Sequence, residues 1–574
     1  MKGQKTYILG ISCFYHDAAA SLLEDGRIIA ATEEERFTRV KHDKSFPQNA
    51  IDYCLSYGDI TSDEIDYVGF YEKPILKFDR ILQSSIENFP HSFQAFYDAI
   101  PSWVNEKLRV KAMIKRSLAY TGEVLFVDHH TSHAASAYFP SPFEDSAILT
   151  VDGVGEWKTT ALYHGRGDKL TPLKEIHFPH SIGLLYSAIT AYLGFKVNDD
   201  EYKVMGLAAY GKPAFLDEFR LLVEVLQDGS FRLSMEYFDY AKSDRMFNRR
   251  LESLLGPSRK EGEPISQRHK DIAATVQHVT EDIVFKATAY LKDLTGSRNL
   301  CVAGGVGLNS VMNGKLRKNG DFDNIFIQPA AGDSGGAMGV ALFIYHQLMN
   351  NGGRHALNHA FLGQNFSTGA INGVLECGGA DYERMDEERL SSQTAKILSE
   401  DKVVGWFQGR MEWGPRALGN RSILASPCKA GMRDMLNSKV KHREMFRPFA
   451  ASVPVEDAPE FFDIDGESPY MLFVFDVKDE KRGSIPAVTH VDGTCRVQTV
   501  SPEANPLFHR LLKEFGKLTG VPVLLNTSFN VRGEPIVCSP NHAYECFMKT
   551  DIDYLVMGEF LVQKKRTCES RVER

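Results

Sequence analysis

Two histidines four residues apart, His129 and His133, are the first residues of this chain whose types and spacing suggest chemistry. They lie in the segment HHTSHAASAYF, directly after an apolar run that predicts a strand. If the segment is helical, this spacing places both imidazoles on one face, where they can share a metal ion. For an isolated pair a simpler explanation stays open, in which one imidazole caps the helix and the other packs internally.

Two carboxylates strengthen the case for a metal site. Asp152 ends the predicted strand AILTV, and Asp333 lies in the glycine-rich loop AAGDSGG before a predicted helix. Two imidazoles and two carboxylates, with space for further oxygen ligands, suit Fe(II), Mn(II) or Zn(II) better than sulfur-preferring metals. We expect Fe(II) at this site, with Mn(II), Zn(II) or Mg(II) as the alternatives.

A glycine-rich turn is a candidate nucleotide contact. It contains Gly304, Gly305 and Asn309 and follows the predicted strand NLCVA at 299–303. The chain has no G-x-x-x-x-G-K-[ST] motif, and Ser310 stands where a dinucleotide fingerprint has its last glycine, so the turn fits neither motif. Glycines at such a turn let the backbone approach a phosphate or a base closely. A tight turn without a ligand is the alternative.

A local excess of basic residues predicts an anion site in the last third of the chain. Residues 401–450 contain six Arg and four Lys against two Asp and two Glu. The arginines alternate with Trp, Gly and Pro in GRMEWGPRALGNRS and KHREMFRPFA, which indicates constrained loops instead of a DNA-contacting helix. Guanidinium groups bind phosphates and carboxylates well. A solvated charged face is the alternative for any single arginine. Further donors are expected from Arg496 and from the segment LLNTSFN, which contains Asn526 and Ser528.

The elements that must position these residues form a repeated pattern. Three short strands, a helix and further strands occur in the same order twice, at 6–12, 18–24, 27–32, 67–71 and 124–128, then at 147–151, 158–164, 170–178 and 299–303. Such a duplication is the layout of the actin-like ATPase fold, by analogy of element order.

The length of 574 residues predicts more than one domain. A Gly- and Asn-rich stretch up to about residue 379 is interpreted as a linker, with the domain boundary near 370. Strands predicted at 402–407, 471–477 and 521–525 suffice for an independent domain after it. We therefore expect domains at 1–370 and 371–574.

Composition and charge narrow the class of protein. Hydrophobic residues make up 43% and charged residues 25%, as in folded globular proteins. The formal net charge of -9 disfavours nucleic-acid and membrane partners. Nine scattered cysteines without a C-x-x-C pair predict neither a disulfide framework nor a zinc finger. Together with an amino terminus that lacks a long apolar run, they lead us to expect a cytoplasmic protein.

Taken together, the motifs of this chain resemble the carbamoyltransferase family that includes the tobramycin, nodulation-factor, cephamycin and novobiocin carbamoylating enzymes. The resemblance spans nearly the whole chain. The motifs are FYHDAAASLLEDGRI, EEERFTRVKHD, DHHTSHAASAY, VDGVGEW, EYKVMGLAAYG, GGVGLNSVMNGKL, GDSGGAMG, EWGPRALGNRSI, KHREMFRPFA and LLNTSFNVRGEPIV.

The resemblance implies a fold and a two-step reaction. The implied fold class is α/β, a duplicated actin-like (Kae1-like) domain followed by an α+β YrdC-like domain. In the second domain, carbamoyl phosphate and ATP, with its Mg(II), would give a carbamoyl adenylate and pyrophosphate. In the first domain, a hydroxyl of a small-molecule acceptor, such as a natural product or a sugar, would take the carbamoyl group and release AMP.

The resemblance also implies roles for individual residues. His16 would accept the proton of the acceptor hydroxyl, a task that suits an imidazole, and Lys41 is a further catalytic candidate. A structural histidine in a turn is the alternative for His16. The implied metal ligands are His129, His133, Asp152 and Asp333, and the implied carbamoyl phosphate and ATP ligands are Arg416, Lys441, Arg447, Arg496, Asn526 and Ser528.

Two rival functions stay open from the sequence. An enzyme of tRNA threonylcarbamoylation would combine the same two folds, although the acidic balance disfavours an RNA surface. An actin-like ATP-binding protein without group transfer would leave the arginine-rich domain unexplained. A homodimer is the default expectation for the oligomeric state.

Overall fold

The computed structural model describes residues 5–564. The chain divides into two compact units, unit 1 (Met1–Asn358) and unit 2 (His359–Arg574). Within residues 5–564, no helix is both long enough and apolar enough to cross a membrane.

Unit 1 contains two five-stranded sheets of the same topology. Its strands are β1 (Tyr7–Ser12), β2 (Ala19–Glu24), β3 (Arg27–Glu33), β4 (Tyr67–Phe70), β5 (Glu123–Phe126), β6 (Asp145–Val151), β7 (Lys158–Arg166), β8 (Lys169–His177), β9 (Val223–Val225), β10 (Phe231–Leu233), β11 (Asn299–Ala303) and β12 (Asn324–Ile327). The sheets have the orders β3-β2-β1-β4-β5 and β8-β7-β6-β11-β12. In each, three antiparallel strands are joined by two strands parallel to the first. The predicted duplication of the strand order is thus confirmed.

The helices of unit 1 connect and cover these sheets. They are α1 (Glu35–Thr38), α2 (Gln48–Gly58), α3 (Pro74–Glu87), α4 (Phe93–Asn105), α5 (Val110–Ser117), α6 (His129–Tyr138), α7 (Ile182–Tyr192), α8 (Glu201–Ala208), α9 (Leu216–Leu222), α10 (Arg249–Leu255), α11 (Gln267–Thr295), α12 (Ser310–Asn319) and α13 (Asp333–Phe343). Short 3-10 helices lie at Ser62–Glu64, Lys107–Arg109 and Gly305–Leu308, and a π-helical turn at Ile344–Leu348 continues α13.

Helices α6 and α13 pack against each other unusually closely, and glycine makes this possible. A Cβ at Gly339 in α13 would lie 1.8 Å from the carbonyl oxygen of Ser132 in α6. A Cβ at Gly10 in β1 would lie equally close, 1.8 Å, to the carbonyl oxygen of Ala337 in α13. Only glycine permits such backbone contacts. These contacts place the start of α13 beside the start of α6.

Unit 2 is built on one nine-stranded mixed sheet of the order β13-β21-β20-β14-β15-β19-β16-β18-β17. Its strands are β13 (Asp381–Arg384), β14 (Val404–Phe407), β15 (Arg421–Ala425), β16 (Ala450–Pro454), β17 (Val474–Asp476), β18 (Thr494–Val500), β19 (Leu524–Ser528), β20 (Tyr554–Met557) and β21 (Phe560–Gln563). The three predicted strands of this region correspond to β14, β17 and β19. The structure is therefore of the mixed α/β class in both units.

The helices of unit 2 enclose an apolar core. They are α14 (Thr368–Cys377), α15 (Glu387–Ser399), α16 (Gly431–Met435), α17 (Ala458–Phe461), α18 (Pro506–Thr519) and α19 (Pro540–Lys549), with a π-helical turn at Leu436–Val440 and a 3-10 turn at Asp479–Lys481. Helices α15 and α18 bury Leu390, Phe508 and Phe515 with Trp406 of β14.

The predicted linker before residue 379 is longer than the irregular segment in the structure, which covers residues 351–367 and contains the division between the units. The stretch contains α14, which Ser367 caps by accepting a hydrogen bond from the Ala370 backbone N–H at 3.2 Å. The Gly and Asn residues that suggest a linker are accommodated in this helix, whose buried Ile371 and Leu375 face the unit. The compact units divide at 358/359, so residue 370 lies inside unit 2.

Candidate functional site

Both histidines of the H-x-x-x-H segment turn inward at the start of α6. Asp128 caps the helix, accepting a hydrogen bond from the Thr131 backbone N–H at 3.1 Å, so neither His129 nor His133 has a capping role. Both imidazoles are buried, and their Nε2 atoms lie 3.1 Å apart. The predicted helix and its shared face are therefore present.

Two carboxylates from distant parts of the chain meet these imidazoles. Asp152 follows β6, and Asp333 is the first residue of α13. Asp152 Oδ2 lies 2.9 Å from His129 Nε2 and 3.7 Å from His133 Nε2. Asp333 Oδ1 lies 3.7 and 3.6 Å from the same two atoms. The ligand atoms of all four residues lie within 4.8 Å of one another.

The cluster fits a divalent metal ion. At metal–ligand distances of about 2.1 Å, neighbouring ligand atoms are about 3.0 Å apart in an octahedral site and about 3.4 Å apart in a tetrahedral one. The separations of 2.9 to 3.7 Å span both values. Among the described residues, Asp333 Oδ1 is buried without a hydrogen-bond partner, a costly arrangement that a cation would relieve. The nitrogen and oxygen donors suit the predicted metals.

The charges within the cluster are strongly coupled. Burial lowers the pKa of His133, but the carboxylates of Asp152 and Asp333 outweigh it and raise this pKa to about 9. Burial raises the pKa of Asp152, yet hydrogen bonds from His129 and His133 hold it well below its usual range. The metal-free cluster therefore holds protons that a cation would have to displace.

Backbone and side-chain donors around the cluster hold its ligands in place. The Gly305 N–H donates to Asp152 Oδ1 at 3.0 Å, which leaves Oδ2 facing the histidines. The His129 N–H donates to both carboxylate oxygens of Glu156 at 3.1 Å. The Tyr71 hydroxyl lies 3.4 Å from Asp333 Oδ2. Sequence reasoning missed Tyr71 and Glu156, although Glu156 stands in the quoted motif VDGVGEW.

The glycine turn predicted to contact a nucleotide supports the metal cluster in the structure. Gly304 has a φ of 92°, and a Cβ there would lie 2.2 Å from the carbonyl oxygen of Val151. Asn309 caps α12, accepting a hydrogen bond from the Met312 N–H at 3.1 Å. These contacts account for Gly304, Gly305 and Asn309 without a ligand. Their contact with a nucleotide stays a prediction.

His16 and Lys41 are connected by a chain of polar side chains. His16 Nδ1 lies 2.9 Å from one carboxylate oxygen of Asp17, and His42 Nδ1 lies 2.7 Å from the other. His42 Nε2 lies 3.2 Å from Asp199, which also forms an ion pair with Lys41. Asp17, His42 and Asp199 were not singled out from the sequence. Asp17 lies in the motif FYHDAAA and His42 in the motif VKHD, so both motifs already pointed to these residues.

Two loops bring these residues together. The Phe14 N–H donates to the Lys44 carbonyl and the Ala18 N–H to the Asp43 carbonyl, both at 2.8 Å. Phe14 and Asp17 adopt left-handed φ values of 75° and 52°. Such conformations are unfavourable for these residues and often accompany functional sites.

Electrostatics keep both histidines of this chain protonated. Burial lowers the pKa of His16, but Asp333 and then Asp17 outweigh it and raise this pKa to about 10. Burial likewise lowers the pKa of His42, but Asp17 and Asp199 raise it to about 9. In the metal-free protein at neutral pH, the His16 imidazole is therefore a proton donor.

In the sheet of unit 2, Arg496 and Asn526 lie on the two strands that flank β16, both level with Ala450. Ala450 of β16 pairs with Arg496 of β18 on one side and with Asn526 of β19 on the other. Directly paired residues project from the same face of a sheet. Among the described residues, Arg496 Nε and Asn526 Oδ1 are buried without hydrogen-bond partners. An unsatisfied donor and an unsatisfied acceptor thus lie near each other.

Lys441 stabilises the loop that follows β19. Its ammonium donates to the Ser528 carbonyl at 2.5 Å and to Asn530 Oδ1 at 2.7 Å. The Ser528 hydroxyl donates to the same Asn530 oxygen at 2.8 Å. Sequence reasoning missed Asn530, which ends the motif LLNTSFN.

The predicted anion-binding residues form one cationic cluster. Burial, and then the charge of Arg416, lowers the pKa of Arg496 well below its usual value. Burial and the charges of neighbouring arginines lower the pKa of Lys441 in the same way. The arginines that contribute to both effects are Arg443 and Arg447. A partly buried cluster of like charges is stabilised by a bound anion.

Comparison with known proteins places both units in one family. The family model of the carbamoyltransferase N-terminus matches residues 7–342, and that of the carbamoyltransferase C-terminus matches residues 395–564. The chain is 48% identical to the uncharacterized protein sll1178 of Synechocystis sp., across 97% of each chain. It is 41% identical to the nodulation protein NolNO of Sinorhizobium fredii, across 96% of this chain and 79% of NolNO.

Proposed function

The chain belongs to the carbamoyltransferase family, and from this premise we propose that it carbamoylates a hydroxyl of a small molecule in two steps. The first step takes place in unit 2 and uses carbamoyl phosphate and ATP. The second takes place in unit 1 at the residues around His129 and His133. The duplicated sheets of unit 1 support an actin-like (Kae1-like) assignment, and unit 2 would be the YrdC-like part.

The first step consists of two reactions, a hydrolysis and an adenylation. Carbamoyl phosphate has no free carboxylate, so water first cleaves it to carbamate and inorganic phosphate. An oxygen of the carbamate then attacks the α-phosphorus of ATP, forming carbamoyl adenylate and expelling pyrophosphate. One inorganic phosphate and one pyrophosphate are released for each adenylate formed.

One observation in unit 2 carries this proposal, the unsatisfied pair of Arg496 and Asn526. Carbamate offers an N–H donor at one end and an anionic oxygen at the other, which complement Asn526 Oδ1 and Arg496 Nε. Arg416 and Arg447 add positive charge for the phosphates of both substrates. Binding these anions would offset the burial and the like charges that lower the pKa of Arg496.

In the second step, the acceptor hydroxyl attacks the carbamoyl carbon and AMP leaves. His16 receives the hydroxyl proton, and Asp17 holds the imidazole through Nδ1 so that Nε2 faces the acceptor. Lys41 neutralises Asp199 at the far end of the same chain. A divalent cation held by the four ligands, Fe(II) in our proposal, would supply a Lewis acid for the AMP phosphate and, by offsetting Asp333, lower the pKa of His16.

The molecular charge supports the choice of acceptor class. A net charge of -9 disfavours a nucleic-acid acceptor, which would be repelled.

The cysteines from Cys13 to Cys546 are all free thiols, which is compatible with a reducing cytoplasm. We therefore propose a cytoplasmic enzyme with a small-molecule acceptor.

The first step can be tested without knowing the acceptor. Purified protein, kept anaerobic and loaded with iron, is incubated with ATP, Mg(II) and carbamoyl phosphate. We expect pyrophosphate and inorganic phosphate in a one-to-one ratio, and carbamoyl adenylate detectable by mass spectrometry. Pyrophosphate formed equally well without carbamoyl phosphate, or none formed with it, would refute the proposal.

A pair of variants assigns this step to the cationic cluster. Arg496→Ala should lower the rate of pyrophosphate formation at least 100-fold, because a phosphate-facing guanidinium in a buried site contributes about 3 kcal/mol or more. Arg384→Ala is the matched control, since Arg384 is exposed in the same unit and pairs with the surface carboxylate of Glu559. Equal rates in both variants would remove Arg496 from the site.

A further inference from the structure

Helices α3 and α4 form a hairpin whose outer surface is apolar. In α3, Ile75 and Ile86 are 75% and 67% exposed, whereas Lys77 and Arg80 are 5% and 7% exposed. A surface helix of a monomeric protein normally shows the opposite arrangement, with charges outside and apolar residues inside. This inverted pattern indicates that the outer face of α3 is covered by another molecule.

The second helix continues the apolar surface. Phe93 and Tyr97 of α4 are 56% and 65% exposed and lie one helical turn apart, with their rings stacked at 6.1 Å. Phe89, in the connection between the helices, is 68% exposed and contacts Phe93 edge-to-face at 6.5 Å. The aromatic side chains contact one another and are more than half exposed. They form a continuous apolar surface at the tip of the hairpin.

The hairpin is an addition to the duplicated unit. The connection between β4 and β5 spans residues 71–122, whereas the equivalent connection between β11 and β12 spans only 304–323. Only the longer connection carries α3, α4 and α5. The second sheet has the same topology without a counterpart of these helices.

The exposed area is that of a protein interface. Nine of the twenty large apolar residues exposed in the described chain lie between residues 75 and 108. At roughly 150–200 Å² for a fully exposed large side chain, about half exposed on average, they present roughly 800 Å², which is the area each partner buries in a standard interface. The largest apolar patch on a typical monomer is only about 300–600 Å².

The charges around the surface indicate which molecule covers it. Between residues 79 and 106 the acidic side chains are Asp79, Glu87, Asp98 and Glu106, whereas residues 107–116 contain five basic and no acidic residues. An anionic bilayer would meet these carboxylates among the apolar side chains, at an electrostatic cost. A second copy turned through 180° would instead place its basic stretch against the acidic one.

We propose that α3 and α4 are the dimerisation surface of this protein, and that a second copy of the chain covers it through a two-fold interface. Two hairpins pack into a four-helix arrangement, with the exposed aromatic residues Phe89, Phe93 and Tyr97 at its centre. Aromatic residues at the centre of an interface contribute much of its binding energy. The inference does not depend on the carbamoyl chemistry.

Sedimentation velocity of the full-length protein tests the interface. We expect the wild type to sediment as a dimer of two 64.4-kDa chains at micromolar concentration, and Phe93→Ser/Tyr97→Ser as a monomer. The matched control is Leu294→Ser/Leu518→Ser, which replaces two large apolar residues exposed elsewhere and should stay dimeric. All four substituted side chains are exposed, so unchanged circular dichroism spectra are expected.

Charge reversal provides a second, independent variant. Asp98→Lys should weaken the dimer at least tenfold, because it places a positive charge opposite the partner's basic stretch. A monomeric wild type, or a dimer that the Phe93 and Tyr97 substitutions leave intact, would overturn the proposal. Co-sedimentation of monomeric wild type with phosphatidylglycerol vesicles, lost in Phe93→Ser/Tyr97→Ser, would overturn it in favour of a lipid surface.

Discussion

Binding of a divalent cation at the four-ligand cluster should release protons. The pKa of His133 is about 9, so at pH 7.5 this imidazole is almost fully protonated in the metal-free protein. A metal-bound imidazole must be neutral, so each cation displaces about one proton from His133. Although burial lowers the pKa of His16, Asp333 and then Asp17 raise it to about 10. If the bound cation neutralises Asp333, this pKa falls and His16 releases a second proton. The expected release is therefore one to two protons per cation.

The displaced proton makes the affinity depend on pH in a defined direction. Because the pKa of His133 is raised in the metal-free protein, the competing proton binds tightly below about pH 9 and dissociates above it. The cost of removing it at pH 7.5 is about 2 kcal/mol, at about 1.36 kcal/mol per pH unit. The dissociation constant for the cation should thus fall about tenfold for each unit of pH increase between pH 6.5 and 8 if one proton is released, and up to about a hundredfold if His16 also releases its proton.

Isothermal titration calorimetry measures both quantities. Metal-free protein is titrated with Zn(II) in buffers of different ionisation enthalpy, and the slope of the observed enthalpy against the ionisation enthalpy gives the number of protons released. His16→Gln separates the two contributions. In this variant the number of protons released per cation should fall by the contribution of His16, and the proton from His133 should still be released. Release of less than half a proton, or an affinity independent of pH, would refute this reasoning.

Two further predictions concern the elements that hold the cluster. Gly10→Ala should destabilise the protein by about 3 kcal/mol or prevent folding, because its Cβ would lie 1.8 Å from a backbone carbonyl of α13. Thermal unfolding measures this loss of stability. Gly431→Ala is the control and should leave the stability unchanged, because a Cβ at Gly431 would meet no atom within 4 Å among the described residues. Tyr71→Phe should weaken metal affinity about tenfold by removing the hydroxyl next to Asp333. An unchanged affinity would show that Tyr71 does not orient this ligand.

Much of unit 1 can be predicted from the sequence, because its strands are short apolar runs bounded by turn residues. The predicted ranges 147–151 and 299–303 correspond closely to β6 (Asp145–Val151) and β11 (Asn299–Ala303). The metal cluster is harder, since Asp152 and Asp333 are 181 positions apart and only the fold brings them together. The residue types and their motifs suggested that grouping, the family resemblance implied the same four ligands, and in the structure the four side chains meet.

Other features escaped prediction for physical reasons. Helix α14 was interpreted as a linker because Gly and Asn are poor helix formers, yet packing of Ile371 and Leu375 stabilises it. The side-chain pairs of Asp17 with His42 and of His42 with Asp199 depend on two left-handed loop residues, Phe14 and Asp17, whose conformations no periodicity reveals. The exposure of the apolar face of α3 could not be predicted from the sequence either, because a stripe of apolar residues normally predicts burial.

The most direct test of the account compares two variants in one assay of pyrophosphate formation. In our proposal, adenylate forms in unit 2 and the carbamoyl group is transferred at the metal cluster of unit 1. Arg496→Ala should therefore abolish pyrophosphate formation from ATP and carbamoyl phosphate, while His129→Ala/His133→Ala should retain it even though elemental analysis shows loss of the metal. Loss of pyrophosphate formation in the histidine variant, together with its retention in Arg496→Ala, would contradict adenylate formation in unit 2.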